Sequence, residues 1–535
     1  MSGRPVWWEK GIIYQIYPRS FMDGNGDGNG DIPGLTCKLD YFCWLGVDIL
    51  WLSPIFPSPM VDLGYDVSDY SAIHPLFGSM EDFNAFLADA HRRGLKVLLD
   101  FVPNHTSDRH PWFIESRASR GNPRRNWYLW HDSAPDGGPP NNWVSHFGGS
   151  AWEWDEQTRQ YYYHAYLKEQ PDLNWRNPKV KEAMFEYLRF WLKKGVDGFR
   201  LDAVWNLVKD DRLRDDPPNP DYRPGEWPYA LLRHDYSCDR PEIHPLLAEM
   251  RSLFDSYGRR LLMGEIYLPP ERLATYYGGK EPELHLPCNF QLVLLPWEAE
   301  TIARALERYE AALPPGAWPN HVLGNHDKPR VASRLGERQA RVAAMLLLTL
   351  RGTPTIYYGE EIGMHNVPIP QEKVCDPLER NIPGLGRDPV RTPMQWDGTE
   401  NAGFSTGEPW LPLSSDFLTR NVEEQRQIPD SLLNLYRRLI TLRRKEPVLM
   451  TGGFRLISSP PDLLAFYRFE GESAFLVLLN FGQEEQVFRP KQNLLRGRVV
   501  LSTGMDREGE NLCREVRVRR DEGVILKNLS PGMLP

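Results

Sequence analysis

Cysteine is scarce and unpatterned in this chain. Six cysteines in 535 residues (Cys37, Cys43, Cys238, Cys288, Cys375 and Cys513) stand far apart, with no CxxC pair and no metal-ligand spacing. They read as free thiols of a reducing compartment. No run approaches the ~20 apolar residues that a bilayer requires, and the N-terminal MSGRPVWWEKG lacks the apolar core of a signal peptide. The expectation is a cytoplasmic protein without a membrane partner. Basic charge is short as well. A net charge of −9 argues against a nucleic-acid partner, because phosphate binding needs a basic face. Repeats and low-complexity linkers are absent, and no organic cofactor is expected.

What is present is enough apolar residue (41%) for a large core, and many aromatics, with 18 Trp and 23 Tyr. Aromatic faces suit sugar rings, although any single Trp is better read as core. Eight short apolar runs recur, each ending in polar or acidic residues. They begin at Gly11, Gly46, Gly94, Gly195, Arg259, His285, His321 and Gly352. Alternating with helical patterns, they predict an α/β fold, a (β/α)8 TIM barrel. Ser79 with Asp82 predicts a capping box, and Asn177, Pro178 and Gly195 bracket another helix. The Gly-, Pro- and Trp-rich stretch 106–174 is too long for a plain loop and reads as an inserted lid domain. After a helix from about Asp430 to Lys445, alternating runs predict a C-terminal antiparallel β-sandwich. The expected domains are a barrel over 1–105 and 175–447, the insert over 106–174, and a β domain over 448–535.

Chemistry concentrates in GFRLDAVW, Gly198 to Trp205. Arg200 and Asp202 lie two apart on a strand and share one face. A buried carboxylate there is costly unless paired, and Arg200 is expected to hold Asp202 ionised by lowering its pKa. Two further acids end other strands, Glu265 in MGEIY and Asp327 in GNHD. Cleaving an acetal needs an acid for the leaving oxygen and a carboxylate facing the cationic transition state. Asp202 is the candidate nucleophile. Glu265, with uncharged neighbours, is the general acid, and Asp327 grips hydroxyls with His326 donating beside it.

DFVPNH from Asp100, GFRLDAV, GEIY and GNHD, in that order, resemble the four motifs of the α-amylase family of glycoside hydrolases. YQIYPRSF, QPDLN, GTPTIYYGEEIG and RTPMQW narrow the resemblance to the α-glucosidase and oligo-1,6-glucosidase branch. It implies a retaining, exo-acting enzyme that releases α-glucose from short α-glucosides, with Asp202, Glu265 and Asp327 as its acids. It also implies that Tyr65, Asp66, His105, Arg200, His326 and Arg391 line a pocket for one glucose. For Arg391 the alternative is a salt-bridged loop arginine. In the resembled branch Val after the nucleophile goes with α-1,6 and Thr with α-1,4 activity. Ala203 fits neither and is expected to leave the space beside the bond roomy. Trp205 is expected to pack under the site. The lean is to maltose and maltooligosaccharides, with isomaltose, trehalose and sucrose left open.

DGNGDGNGD, from Asp23 to Asp31, spaces oxygen donors for a hard cation: Asp23, Asn25, Asp27, the Asn29 backbone and Asp31. A structural Ca2+ or Mg2+ is expected, as in the resembled family. Two other functions use the same letters. One is a transglucosidase or trehalose-synthase-like isomerase working through the same glucosyl-enzyme. The other is a binding protein without catalysis, disfavoured because all three acids are present.

Overall fold

The computed structural model describes residues 5–489 and 496–528. Its eight apolar runs are eight parallel strands: β1 Ile13–Ile16, β2 Ile49–Leu52, β3 Lys96–Phe101, β4 Gly198–Leu201, β5 Leu261–Ile266, β6 Leu286–Asn289, β7 Asn320–Val322 and β8 Thr353–Tyr357. The hydrogen-bonded order is β7-β8-β1-β2-β3-β4-β5-β6, and β6 lies beside β7, so the sheet is a nearly closed barrel. Successive strand side chains point to opposite faces. Ile49 and Trp51 therefore fill the interior with Ile13, Leu98, Met263 and Leu286. Leu50, Leu52, Val97 and Leu99 face outward into the larger core under the helices. Gly198 is required where β4 meets β5, since a Cβ there would lie 2.1 Å from the Leu261 carbonyl oxygen.

The helices begin and end where side chains satisfy their free backbone groups. Ser79 and Asp82 form a reciprocal capping box at the start of Met80–Arg92. The Asn177 side chain accepts from Lys179 N before Pro178–Lys194, which closes on Gly195 at φ 102°. A further helix, Val331–Thr349, is largely buried and bends at Gly336, φ 77°.

Between β3 and the helix Pro178–Lys194 the chain forms a helix, Pro111–Ala118, and a three-stranded antiparallel sheet of Trp130–His131, Trp152–Asp155 and Gln160–Tyr163. A buried Lys209–Asp172 ion pair ties this segment to the loop after β4, and Asn104 bonds both partners. At the C-terminus six antiparallel strands make one sheet, with a two-stranded ribbon, Gln486–Phe488 and Val516–Val518, against it. One sheet face, with Phe466, Val477 and Ile525, joins the main core. The other, with Leu476, Leu478 and Leu526, packs on Phe488, Val516 and Val518 of the ribbon. Its strand Gly523–Asn528 pairs with two neighbours and was not foreseen from the sequence.

Candidate active site

Strand register assembles the site. Asp100 on β3 lies directly across from Arg200 on β4, which in turn pairs with Met263 on β5. One residue past β4, Asp202 is held by its N–H to the Phe101 carbonyl at 2.8 Å. Arg200 Nη1 donates to Asp100 Oδ1 and to Asp202 Oδ1, both at 2.7 Å, and Nη2 reaches Glu265 Oε1 at 2.9 Å. Glu265 Oε2 accepts from Ala203 N at 2.9 Å. Asp202 and Glu265 are therefore held on the two terminal nitrogens of one guanidinium.

One guanidinium thus faces three buried carboxylates, and although Arg200 does act to lower the Asp202 pKa, as expected, it does not outweigh burial. Burial raises Asp202 well above the carboxylate range, with Arg200 opposing and Glu265 and Asp100 adding to the rise. Burial also raises Glu265, and pushes Asp100 up to about 6. Divided three ways, a single positive charge offsets only part of the cost of burying three carboxylates, which favours a proton held within the cluster. Asp327 differs. Burial alone would raise it, but the guanidinium groups of Arg387 and Arg391 hold its carboxyl well below the usual range.

These acids face a cavity of about 560 Å³, a size suited to a small ligand, at the carboxyl ends of the strands. Tyr65, His105, His326, Asp202, Glu265 and Asp327 line it. The Tyr65 and His326 rings stack at 5.3 Å, and the Tyr65 hydroxyl meets both His326 Nε2 at 2.8 Å and Asp100 Oδ2 at 3.1 Å. Burial lowers His326 to about 3 and His105 to about 4, so both rings are neutral.

Three expected lining residues are placed elsewhere. Asp66 is fully buried and accepts from the Ser58 hydroxyl and from Val61 and Asp62 N–H, bracing its own loop. Arg391 is buried behind Asp327, donating to Asp327 Oδ1 at 3.1 Å and to the His326 carbonyl at 2.9 Å. That is the alternative role named for it above. Arg200 sits beneath the acids rather than on the cavity wall.

Their places at the wall are taken by Asp62 and Arg387, joined at 2.6 Å, with Asp376 on the same guanidinium at 2.7 Å. The sequence reading also missed Phe147, Trp227, Tyr229 and Lys328. Only the aromatic richness of the loops pointed toward them. Trp205 lines the cavity instead of packing under it, edge-on to Tyr267 at 5.7 Å. Ala203 is fully buried at φ 45° and does not line the cavity.

The Asp23–Asp31 loop is folded on its own donors. Asp23 accepts from Asn25, Gly26 and Gly28 N–H and from Ser405, while Asp31 caps the helix Ile32–Cys37. Asp23 and Asp27 are near enough to help raise Asp31, after burial as the main cause. Among the described residues, however, no three His, Cys, Asp or Glu side chains converge on a metal position.

A parallel barrel carrying paired carboxylates at its strand ends around a sugar-sized cavity defines the class of barrel glycoside hydrolases. Residues 15–452 match the family described as "Alpha amylase, catalytic domain". The chain is 42% identical over 498 residues to a probable alpha-glucosidase of Rhizobium meliloti, covering 89% of this chain and 90% of that one. It is 38% identical to an oligo-1,6-glucosidase of Parageobacillus thermoglucosidasius, covering 98% and 99%. A solved structure described as the alpha-glucosyl transfer enzyme XgtA superposes with a TM-score of 0.93 at 39% identity, covering 98% and 100%. The chain belongs to the α-amylase family.

Proposed function

We propose that this protein is a retaining, exo-acting α-glucosidase that releases α-glucose from the non-reducing end of short α-glucosides. The observation that carries the reading is the Asp62–Arg387 pair on the cavity wall, beside Asp202, Glu265 and Asp327. Charged groups in a buried wall bond to the hydroxyls of one terminal sugar and leave no path for a chain to pass through.

In the proposed reaction an Asp202 carboxylate oxygen attacks the anomeric carbon while the bond to the leaving oxygen breaks. Glu265 transfers its proton to that oxygen. Water then gives a proton back to Glu265, bonds to the anomeric carbon and displaces Asp202, so two inversions return the α-anomer. The shared Arg200 guanidinium, 2.7 Å from Asp202 and 2.9 Å from Glu265, holds the two carboxyl groups near each other and supports double displacement over inversion. Asp327, kept ionised by its cations, stabilises the positive charge that develops on the ring.

NMR of maltose, isomaltose, trehalose and sucrose digests tests this, with α-glucose expected first and starch a poor substrate. Early β-glucose would overturn it. If sugar products outrun free glucose at high substrate, the transglucosidase or isomerase reading takes its place. A reducing, cytoplasmic setting belongs to the proposal and is supported by six unpaired thiols.

The loop of Asp23, Asn25, Asp27, Asn29 and Asp31 is proposed to hold a structural Ca2+ or Mg2+. Its oxygen-only donors and the mutual repulsion of its carboxylates support this. Chelation by EDTA is expected to lower the melting temperature and Ca2+ to restore it. An unchanged melting curve would remove the metal from the reading.

A further inference from the structure

The cavity has a charged end and a mouth that is apolar but for Lys328, whose ammonium lies over the Trp227 and Tyr267 rings. Asp62 and Arg387 lie at the first, while Trp205, Trp227, Leu294 and Leu385 line the second. Six large apolar side chains are exposed among the described residues, and two of them, Leu294 at 56% and Leu385 at 37%, stand in this mouth. Exposed apolar surface gathered at a binding site marks what the ligand covers.

The apolar surface continues past Leu294. A groove of about 590 Å³ shares Leu294 and Tyr267 with the cavity and is lined further by Leu268, Phe290, Leu295 and Ala305. Tyr267, which lines both spaces, stacks face to face on Phe290 with centroids 4.5 Å apart and planes 12° from parallel, so its ring is held in place. The groove's uncharged polar side chains are Gln291 and Thr301. Its two arginines, Arg304 and Arg308, are paired with Glu300 and Glu271. A saccharide chain presents hydroxyls at every ring and needs partners for them. This groove offers few, and suits a hydrocarbon.

We propose that the leaving-group side accepts an alkyl chain, so that the substrate class extends to α-glucosides of aliphatic alcohols. The glucose sits against Asp62 and Arg387, and the chain crosses Leu294 into the groove. This rests on the α-glucosidase reading, whose failure is read separately below.

The test is calorimetric binding to the full-length Glu265→Gln protein of methyl, butyl and hexyl α-D-glucoside, maltose and maltotetraose. Hexyl glucoside is expected to bind at least tenfold tighter than methyl glucoside, since one fully buried CH2 gives roughly fourfold (about 0.8 kcal/mol). Ala305→Asp in the same background is expected to remove most of that gain, with methyl glucoside as the reference and a melting curve as the fold check. Leu295→Asn serves where Ala305→Asp unfolds. Equal affinities for methyl and hexyl glucoside would overturn the proposal. So would maltotetraose binding tenfold tighter than maltose with a gain that Ala305→Asp abolishes, since the groove would then hold sugar. Maltose hydrolysis by the unmodified protein is the separate arm. Its absence sinks the hydrolase reading, while the affinity series still decides what the groove takes.

Discussion

Arg200 shows how one side chain sets the ionisation of a whole site. It divides its charge among Asp100, Asp202 and Glu265. Asp100 adds negative charge beside Asp202 without lining the cavity. In Asp100→Asn that repulsion is gone and Arg200 serves two carboxylates, so Asp202 and Glu265 both ionise more readily. Loss of the base-side ionisation limits activity in acid, and loss of the Glu265 proton limits it in alkali. Both limbs of the kcat/KM pH profile are therefore expected to move to lower pH, by roughly half a unit to one unit. Limbs that stay in place would show that Asp100 is only structural. Two of the three misplaced residues are also matters of this scale. Asp66 and Arg391 each stand four positions from the residue that lines the wall, Asp62 and Arg387. Turns at Leu63, φ 52°, and Gly64, φ 112°, lie between Asp62 and Asp66. No periodicity in a loop tells which of two like residues faces inward.

At the scale of elements, legibility followed hydrogen-bond periodicity. The barrel strands were legible because each is an apolar run between a turn and a polar end. The helix Met80–Arg92 was legible because Ser79 and Asp82 cap it reciprocally. Ser79→Ala removes an acceptor for Asp82 N–H and is expected to cost about 1 kcal/mol by urea unfolding, with kcat/KM unchanged. A loss below about 0.3 kcal/mol would mean that the cap is replaced by water. The strand Gly523–Asn528 was missed because its pairing partners, Ser473–Asn480 and Arg496–Ser502, are distant in sequence. Only tertiary contact identifies it. Trp227 and Tyr229 reach the cavity from the long segment between β4 and the helix Ile243–Ser256, where local pattern is likewise silent.

Across the whole molecule, buried acids tie the barrel to its surroundings. Glu360, after β8, accepts from Tyr357 N at 3.0 Å and from the Tyr436 hydroxyl of the helix Leu432–Lys445 at 3.3 Å. Burial raises its pKa to about 7. The folded protein therefore binds more protons than the unfolded chain between about pH 4.5 and 7, and stability falls as pH rises through that window. Glu360→Gln keeps both contacts and removes the titration. The loss of stability between pH 5 and pH 8 is expected to shrink by up to about 3 kcal/mol in the variant. Denaturant midpoints at the two pH values measure it, and equal losses in the two proteins would refute the assignment.

The linear order of residues was enough for what depends on neighbours: strand periodicity, helix caps, and acids set at the ends of apolar runs. Those interactions span a few bonds, and their spacing survives in one dimension. The shared guanidinium, the Asp62–Arg387 pair and the apolar mouth came only with folding. Each joins groups tens to hundreds of residues apart, and burial, which sets their charges, exists only once the chain has closed around them.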